Sequence, residues 1–277
     1  MCTLFSLEAV SYYRMSPRIA LLNAAHDGSD NRRNFRRELA ADLVEYDVVD
    51  RDLPEHFAFD GCVVTGSRAS VYWEEPWIAE LREWVREAVE RDIPFLGVCF
   101  GHQLLADALG GTVEAMDDYE IGYRSVSHDG ESPLLDGVDE EFTVFTTHSD
   151  RVVELPPGAE RFAENEYGVH GFRADDVFSV QFHPEYDPET AEMVTRGKDG
   201  QLSAERIEQV LDGITPSNYQ AACEAKQLFD NFVDYVEARA GTGSADAAVD
   251  AESGDVTSDD ETPTGTGDGG DSAAADD

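Results

Sequence analysis

Apolar residues gather in short runs over the first hundred positions and in looser, alternating stretches afterwards. The runs at 18–23, 45–50, 61–65 and 94–98 are each bounded by polar, glycine or proline residues, the pattern of strands buried on both faces of a parallel sheet. Helices fall between them. The clearest follows Pro76, a favoured first helical residue, with Trp77, Ile78, Leu81, Trp84, Val85, Ala88 and Val89 at the three- and four-residue spacing of one buried face. A second is predicted over 101–109, stopped by Gly110-Gly111. Alternating strands and helices predict an α/β fold, a mostly parallel sheet with helices on both faces.

The second half is richer in strands, expected near 121–128, 142–147, 160–165, 168–173 and 177–182. Helices return at 188–195, 203–212 and 217–239, the last with Ala222, Ala225, Phe229, Phe232, Val233 and Val236 on its apolar face. No internal repeat is visible. From Gly241 onward there is neither an aromatic nor a basic residue, too little apolar surface to offset ordering entropy, so 241–277 is expected to be a disordered acidic tail. Residues 1–14 form an extension without a usable motif, which leaves 15–240 as the expected domain.

Charge narrows the function classes. The net charge of −39 comes from 59 acidic residues against 20 basic ones, and lysine occurs only at Lys198 and Lys226. Such a surface repels nucleic-acid phosphates and anionic lipids, so neither nucleic acid nor membrane is an expected partner. Acidity spread along the whole chain, with arginine preferred to lysine, resembles proteins adapted to a high-salt cytoplasm, where screening weakens self-repulsion. No stretch approaches the roughly 20 apolar residues of a membrane span, and the start lacks the pattern of a secretory signal, so a cytoplasmic protein is expected. Cys2, Cys62, Cys99 and Cys223 form no CxxC pair, which predicts neither a zinc ribbon nor a disulfide framework.

One cysteine stands out. In Pro94-Phe95-Leu96-Gly97-Val98-Cys99-Phe100-Gly101-His102-Gln103 a buried strand runs straight into a helix through a Gly-x-Cys-x-Gly turn. A nucleophile on such an elbow sits in a strained conformation, and the residues two before and two after it must lack side chains. The turn exposes the sulfur above the sheet and aims the first helical amides at it, where they favour negative charge. A nucleophilic sulfur needs a base, and the base an orienting group. Phe178-Ser179-Val180-Gln181-Phe182-His183-Pro184-Glu185 supplies both at the end of another strand: alternate residues of an extended segment share a face, and Pro184 favours the extended form of His183.

The stretches GVCFGHQLLA around Cys99 and QFHPE around His183 resemble the two signature motifs of the class I glutamine amidotransferases, in the same order and at a fitting separation, over about residues 18–235. The resemblance implies a doubly wound, flavodoxin-like sheet and metal-free hydrolysis of the side-chain amide of glutamine through a γ-glutamyl thioester, with release of ammonia. It implies Cys99 as nucleophile, His183 as general base and acid, and Glu185 as its orienter. It further implies Gly66 and Phe100 as backbone N–H donors to the oxyanion, Gln103 as a substrate contact, and Ser149 and Asp150 within a segment, Thr147-His148-Ser149-Asp150, that grips the amino-acid end. Thr65-Gly66 departs from the usual Gly-Gly, and Ser149 stands where glycine is common.

Three functions fit. The first is a glutaminase feeding ammonia to a synthetase; no P-loop or other nucleotide-binding glycine loop follows the His-Pro-Glu segment, so a separate synthetase partner is expected. The second is a free-standing γ-glutamyl peptidase or hydrolase with the same thioester chemistry, which VVTGSRASVYWEEPWI resembles. The third is a binding or regulatory protein on the same fold, favoured had any of the three residues been missing. His102 is expected to pack behind the elbow, Cys62 and Cys223 to be unreactive, and Trp73 either to line the entrance or to pack.

Overall fold

The computed structural model describes residues 16–26 and 29–252. In chain order the elements are β1 (Arg18–Asn23), α1 (Ser29–Glu38), β2 (Asp42–Asp47), β3 (Gly61–Val64), α2 (Pro76–Val89), β4 (Phe95–Val98), α3 (Phe100–Ala108), β5 (Thr112–His128), β6 (Glu141–Glu154), β7 (Glu160–Asn165), β8 (Gly168–Ala174), β9 (Val177–Val180), α4 (Pro188–Arg196), α5 (Ala204–Gly213), α6 (Pro216–Ala222) and α7 (Gln227–Glu252). The strands form one sheet in the order β2-β1-β3-β4-β9-β8-β7-β5-β6. The five strands from β2 to β9 pair in parallel, and from β9 onward every pairing is antiparallel.

Helices cover both faces of the parallel half, and the alternation of strand side chains shows how. Ile19, Leu21, Val63, Leu96 and Val98 point to one face, where they pack with Phe35 of α1 and with Phe229, Phe232 and Val236 of α7. Ala20, Leu22, Cys62, Val64 and Phe95 point to the other, against Trp77, Ile78, Leu81 and Val85 of α2 and Leu104 and Leu105 of α3. Fully burying one such aliphatic side chain contributes about 1.5–3 kcal/mol, so the sheet sandwiched by these helices carries most of the driving force.

Several boundaries differ from the sequence reading. The second strand is Asp42–Asp47 rather than 45–50, because its register is set by β1 (Arg18↔Asp42 through Asn23↔Asp47), and Val48–Asp50 turns away as a 3₁₀ helix. β5 begins at Thr112, nine positions before the expected 121, since exposed Glu114, Asp117 and Asp118 hide a strand from a search for apolar runs. The helix expected over 217–239 is split into α6 and α7 by a 3₁₀ turn at Cys223–Lys226; α6 buries no residue, whereas Leu228, Phe229, Phe232, Val233 and Val236 of α7 are all in the core.

Backbone contacts divide the chain after Ala240. In the second unit the described residues are helical to Glu252, although no regular structure was expected from Gly241; Ala245, Ala247, Ala248 and Ala251 are strong helix formers. Residues 1–15 and 253–277, and with them the extension and most of the expected tail, lie outside the described residues.

Candidate active site

β3, β4 and β9 are adjacent and parallel, so the segments leaving their carboxyl ends converge, which is where sites form in open α/β sheets. At the end of β4, Cys99 has φ 53° and ψ −101°. A non-glycine residue in such a region costs on the order of 1–3 kcal/mol and persists only where its surroundings hold it. Here its N–H donates to Val180 O (2.9 Å) and its carbonyl accepts from Gln103 N (3.1 Å), locking the elbow to β9 and to α3. A Cβ on Gly97 would lie 2.5 Å from Leu105 Cδ1 and 2.6 Å from the Gly101 carbonyl, and one on Gly101 would lie 2.2 Å from Val64 O. Gly101→Ala must therefore displace either β3 or the elbow. It is expected to lower stability by about 1–3 kcal/mol, read by urea denaturation, and to depress turnover even where the protein folds.

His183 follows β9 and is fixed by its N–H, which donates to Phe145 O of β6 (2.9 Å). Its Nδ1–H donates to Glu185 Oε1 at 2.8 Å, and the sulfur of Cys99 is near enough to the ring to act on its charge. All three side chains are buried. Burial disfavours an imidazolium, but the carboxylate of Glu185 and the sulfur of Cys99 outweigh it and raise His183 to about 10. The segment then turns sharply: Arg37 donates to the Glu185 carbonyl and pairs with Asp187 (2.8 Å), and Asp187 caps α4 by accepting from Thr190 N (2.8 Å), with Pro188 at the first helical position.

After β3, a Cβ on Gly66 would lie 2.9 Å from His183 Cε1 and 3.7 Å from Cys99 Cβ, so this glycine directly overlies the pair. Thr65 beside it has a structural use: its hydroxyl accepts from Ala24 N (3.0 Å) and Asn31 Nδ2 (2.8 Å), tying the turn to the ends of β1 and α1. Among the described residues the N–H groups of Gly66 and Phe100 have no acceptor. Opposite them, the Thr147 carbonyl of β6 lies 3.9 Å from Cys99 Sγ.

The sequence model of the family described as "Glutamine amidotransferase class-I" matches residues 27–196, more than half of the chain. The chain belongs to the class I glutamine amidotransferases. A GMP synthase (glutamine-hydrolyzing) from Thermomicrobium roseum is 37% identical over 155 residues, 56% of this chain but 28% of that protein, so the chain spans under a third of the length of such relatives. Among solved structures, a glutamine amidotransferase from Thermotoga maritima superposes with a TM-score of 0.68 at 22% identity, covering 80% of this chain and 99% of that one. One from Methylobacillus flagellatus gives 0.65 at 22% identity, covering 79% and 95%. These likenesses establish the fold expected from the sequence.

The remaining expected residues of this class I glutamine amidotransferase are placed less simply. Gln103 is buried, and its amide nitrogen donates to Asp150 O and Gln181 Oε1, both at 3.0 Å. Asp150 is buried with its carboxylate accepting from Ser70 Oγ (2.6 Å) and Tyr72 OH (2.7 Å), while Ser149 is exposed. A cavity of about 160 Å³ opens beside His183 and Gly66; it is lined by Thr147 but by none of Gln103, Ser149 and Asp150. His102 packs behind the elbow, with Nδ1 2.8 Å from Ser179 Oγ, and burial pushes it well below its ordinary range. Cys62 is fully buried in β3, where burial pushes its thiol up, and Cys223 is half-buried in the 3₁₀ turn rather than in a helix. Trp73 is largely exposed.

Four residues near the site carry no motif and were not singled out as part of it from the sequence. Tyr186 stacks on the His183 ring (centroids 4.1 Å apart, 18° between planes). Tyr119 OH lies 3.2 Å from Thr147 Oγ1. Arg68 and Lys198 line the cavity. Beneath the 147–150 segment, Glu120 Oε2 lies 2.6 Å from His148 Nε2 and 3.1 Å from His170 Nε2, and Glu120 Oε1 accepts from Asn165 (2.7 Å). Burial opposes the charge of Glu120, but the two imidazoles hold it well below the usual carboxylate range. This trio is close enough to ligate a metal, yet it is distinct from Cys99, His183 and Glu185, and its hydrogen bonds already anchor β6 where Thr147 faces the sulfur.

Proposed function

We propose that the protein hydrolyses the γ-amide of glutamine, with Cys99, His183 and Glu185 as its catalytic triad, and passes the ammonia to a separate synthetase. The observation that carries this reading is the Cys99 elbow at φ 53° held against a His183–Glu185 pair, with Gly66 lying over both. Sulfur, its proton already held on His183, attacks the γ-carbonyl carbon. The N–H groups of Gly66 and Phe100 bind the resulting oxyanion, and His183 returns the proton to nitrogen as the carbon–nitrogen bond breaks and ammonia leaves. Water, deprotonated by His183, then attacks the thioester and releases glutamate and the thiol. Tyr186, stacked on the imidazole, keeps the ring in plane with its two partners.

The synthetase partner is supported by the kinship with glutamine-hydrolysing GMP synthases, of which this chain spans only a part. Purified protein in high salt is expected to release glutamate and ammonia from glutamine, and to do so faster when the partner synthetase and its substrates are present. No glutamate release under either condition would overturn the reading. The residues beyond Ala240 have no part in this chemistry: truncation there is expected to leave turnover in high salt unchanged, and a collapse of activity would show the contrary.

A further inference from the structure

Lys198 is one of two lysines in a chain with 59 acidic residues, and it is only 9% exposed. The other, Lys226, is paired with Glu38. Lys198 has no carboxylate partner among the described residues; its ammonium sits over the ring of Tyr119, 4.9 Å from the centroid, at the wall of the cavity beside His183. Its loop is tied down, with Lys198 N donating to Thr195 O (3.1 Å) and Lys198 O accepting from Gln201 N (2.9 Å) and Leu202 N (3.1 Å). Arg68 lines the same cavity and likewise has no acidic partner among the described residues. Its guanidinium reaches Gly197, the neighbour of Lys198, with Nη2 3.5 Å from where a Cβ would stand.

Two cations side by side with no anion are costly, the more so when one is buried, and such an arrangement is explained when a ligand brings the missing charge. Elsewhere in this protein arginines find carboxylates readily, as Arg32 does in Asp47 and Arg37 in Asp187. The cavity's carboxylate, Asp30, is itself paired with Arg33 (3.3 Å). We propose that Arg68 and Lys198 bind the α-carboxylate of the γ-glutamyl group whose amide Cys99 attacks, so that a free α-carboxylate is what the site recognises in its substrate. The proposal rests on the amidohydrolase reading above and names the group that reading left without a partner. Placement supports it: Tyr119 under the ammonium is bonded to Thr147, whose carbonyl faces Cys99 Sγ, and Lys198, Arg68, Thr147, Gly66 and His183 line one cavity. Burial and Arg68 lower Lys198 from its ordinary value while Cys99 opposes them, the behaviour of a cation that gains from an added negative charge. Lys198 lies two positions beyond residues 27–196, the stretch that the family model matches.

The test compares glutamine with its α-amide, glutaminamide, in the wild type and in Lys198→Met and Arg68→Gln. The wild type is expected to favour glutamine by about 10- to 100-fold in kcat/KM, the value of a charge-assisted hydrogen-bonded pair, and each variant to bring that ratio toward one, chiefly through KM. Equal losses on both substrates would show a structural role and overturn the proposal. A loss confined to γ-glutamylglycine, whose leaving amine carries its own carboxylate, would overturn it in favour of a leaving-group site. Calorimetric titration of the Cys99→Ala protein with glutamine and glutaminamide gives the same comparison without turnover. If the wild type hydrolyses nothing yet glutamine binding still depends on Lys198 and Arg68, the amidohydrolase reading fails and the carboxylate site stands.

Discussion

Cys99→Ala is expected to bring glutamate release to background while leaving the fold intact. The substitution removes the atom that bonds to the γ-carbonyl, so no thioester forms, and alanine fits the space with loss of one sulfur. The oxyanion donors and His183 remain, and general-base attack by water is the residual route, typically slower by several orders of magnitude, on the order of 10³-fold or more. Trapping gives the sharper result. A glutamine analogue with an electrophilic γ-carbon is expected to label Cys99 and to leave Cys62 and Cys223 untouched. Cys62 is fully buried and its thiol is pushed up by burial, so it offers no thiolate. Cys223 is half-buried in the 3₁₀ turn before α7, not at a strand-to-helix elbow whose helical amides would favour its thiolate. Peptide mapping that places the label on another cysteine, or labelling that persists after Cys99→Ala, would overturn the assignment of the nucleophile.

The parts of this site that were legible in the sequence are those where the backbone itself is the constraint. Gly97 and Gly101 stand out because no side chain can be built on them without striking Leu105 or the Val64 carbonyl, and a strand running into a helix between two such glycines has few other uses. The His-Pro-Glu run stands out because an extended segment presents alternate residues to one side, as the 2.8 Å contact between His183 and Glu185 shows. The fold was legible for a similar reason: the central strands are buried on both faces, so their apolar runs are unbroken. Legibility failed where burial comes from distant chain. Nothing local marks Lys198, which is enclosed by Tyr119 from β5, or Tyr186, which is defined by stacking on a ring three residues earlier. The start of β5 was missed because its exposed acidic residues belong to a surface that is acidic everywhere. Asp150, assigned by resemblance to the amino-acid end of the substrate, accepts from Ser70 and Tyr72, partners that only the tertiary fold brings near.

Glu185→Gln is expected to lower turnover by about 10- to 10⁴-fold with a smaller effect on substrate binding, and to move the basic limb of the pH–rate profile to lower pH. Glutamine keeps the size of the side chain and can still accept from His183 Nδ1–H, and Glu185 Oε2 has no partner among the described residues, so its replacement by an amide breaks no hydrogen bond. What disappears is the charge. Burial alone would drive His183 below its ordinary 6.5, and the folded value of about 10 exists because Glu185 and Cys99 outweigh that penalty. A histidine whose folded pKa lies above its unfolded one adds stability that is fully present below about 6.5 and is lost as the pH rises through about 10. Without the Glu185 charge the folded value falls, so the stabilising window narrows from its upper end and the imidazolium that protonates the leaving nitrogen is lost at a lower pH. Three measurements share this sign: NMR titration of the His183 ring, urea stability between pH 6.5 and 10, and the pH dependence of kcat/KM. A variant whose His183 titrates where the wild type does, with an unmoved basic limb, would show that Glu185 holds the ring in place without tuning its charge.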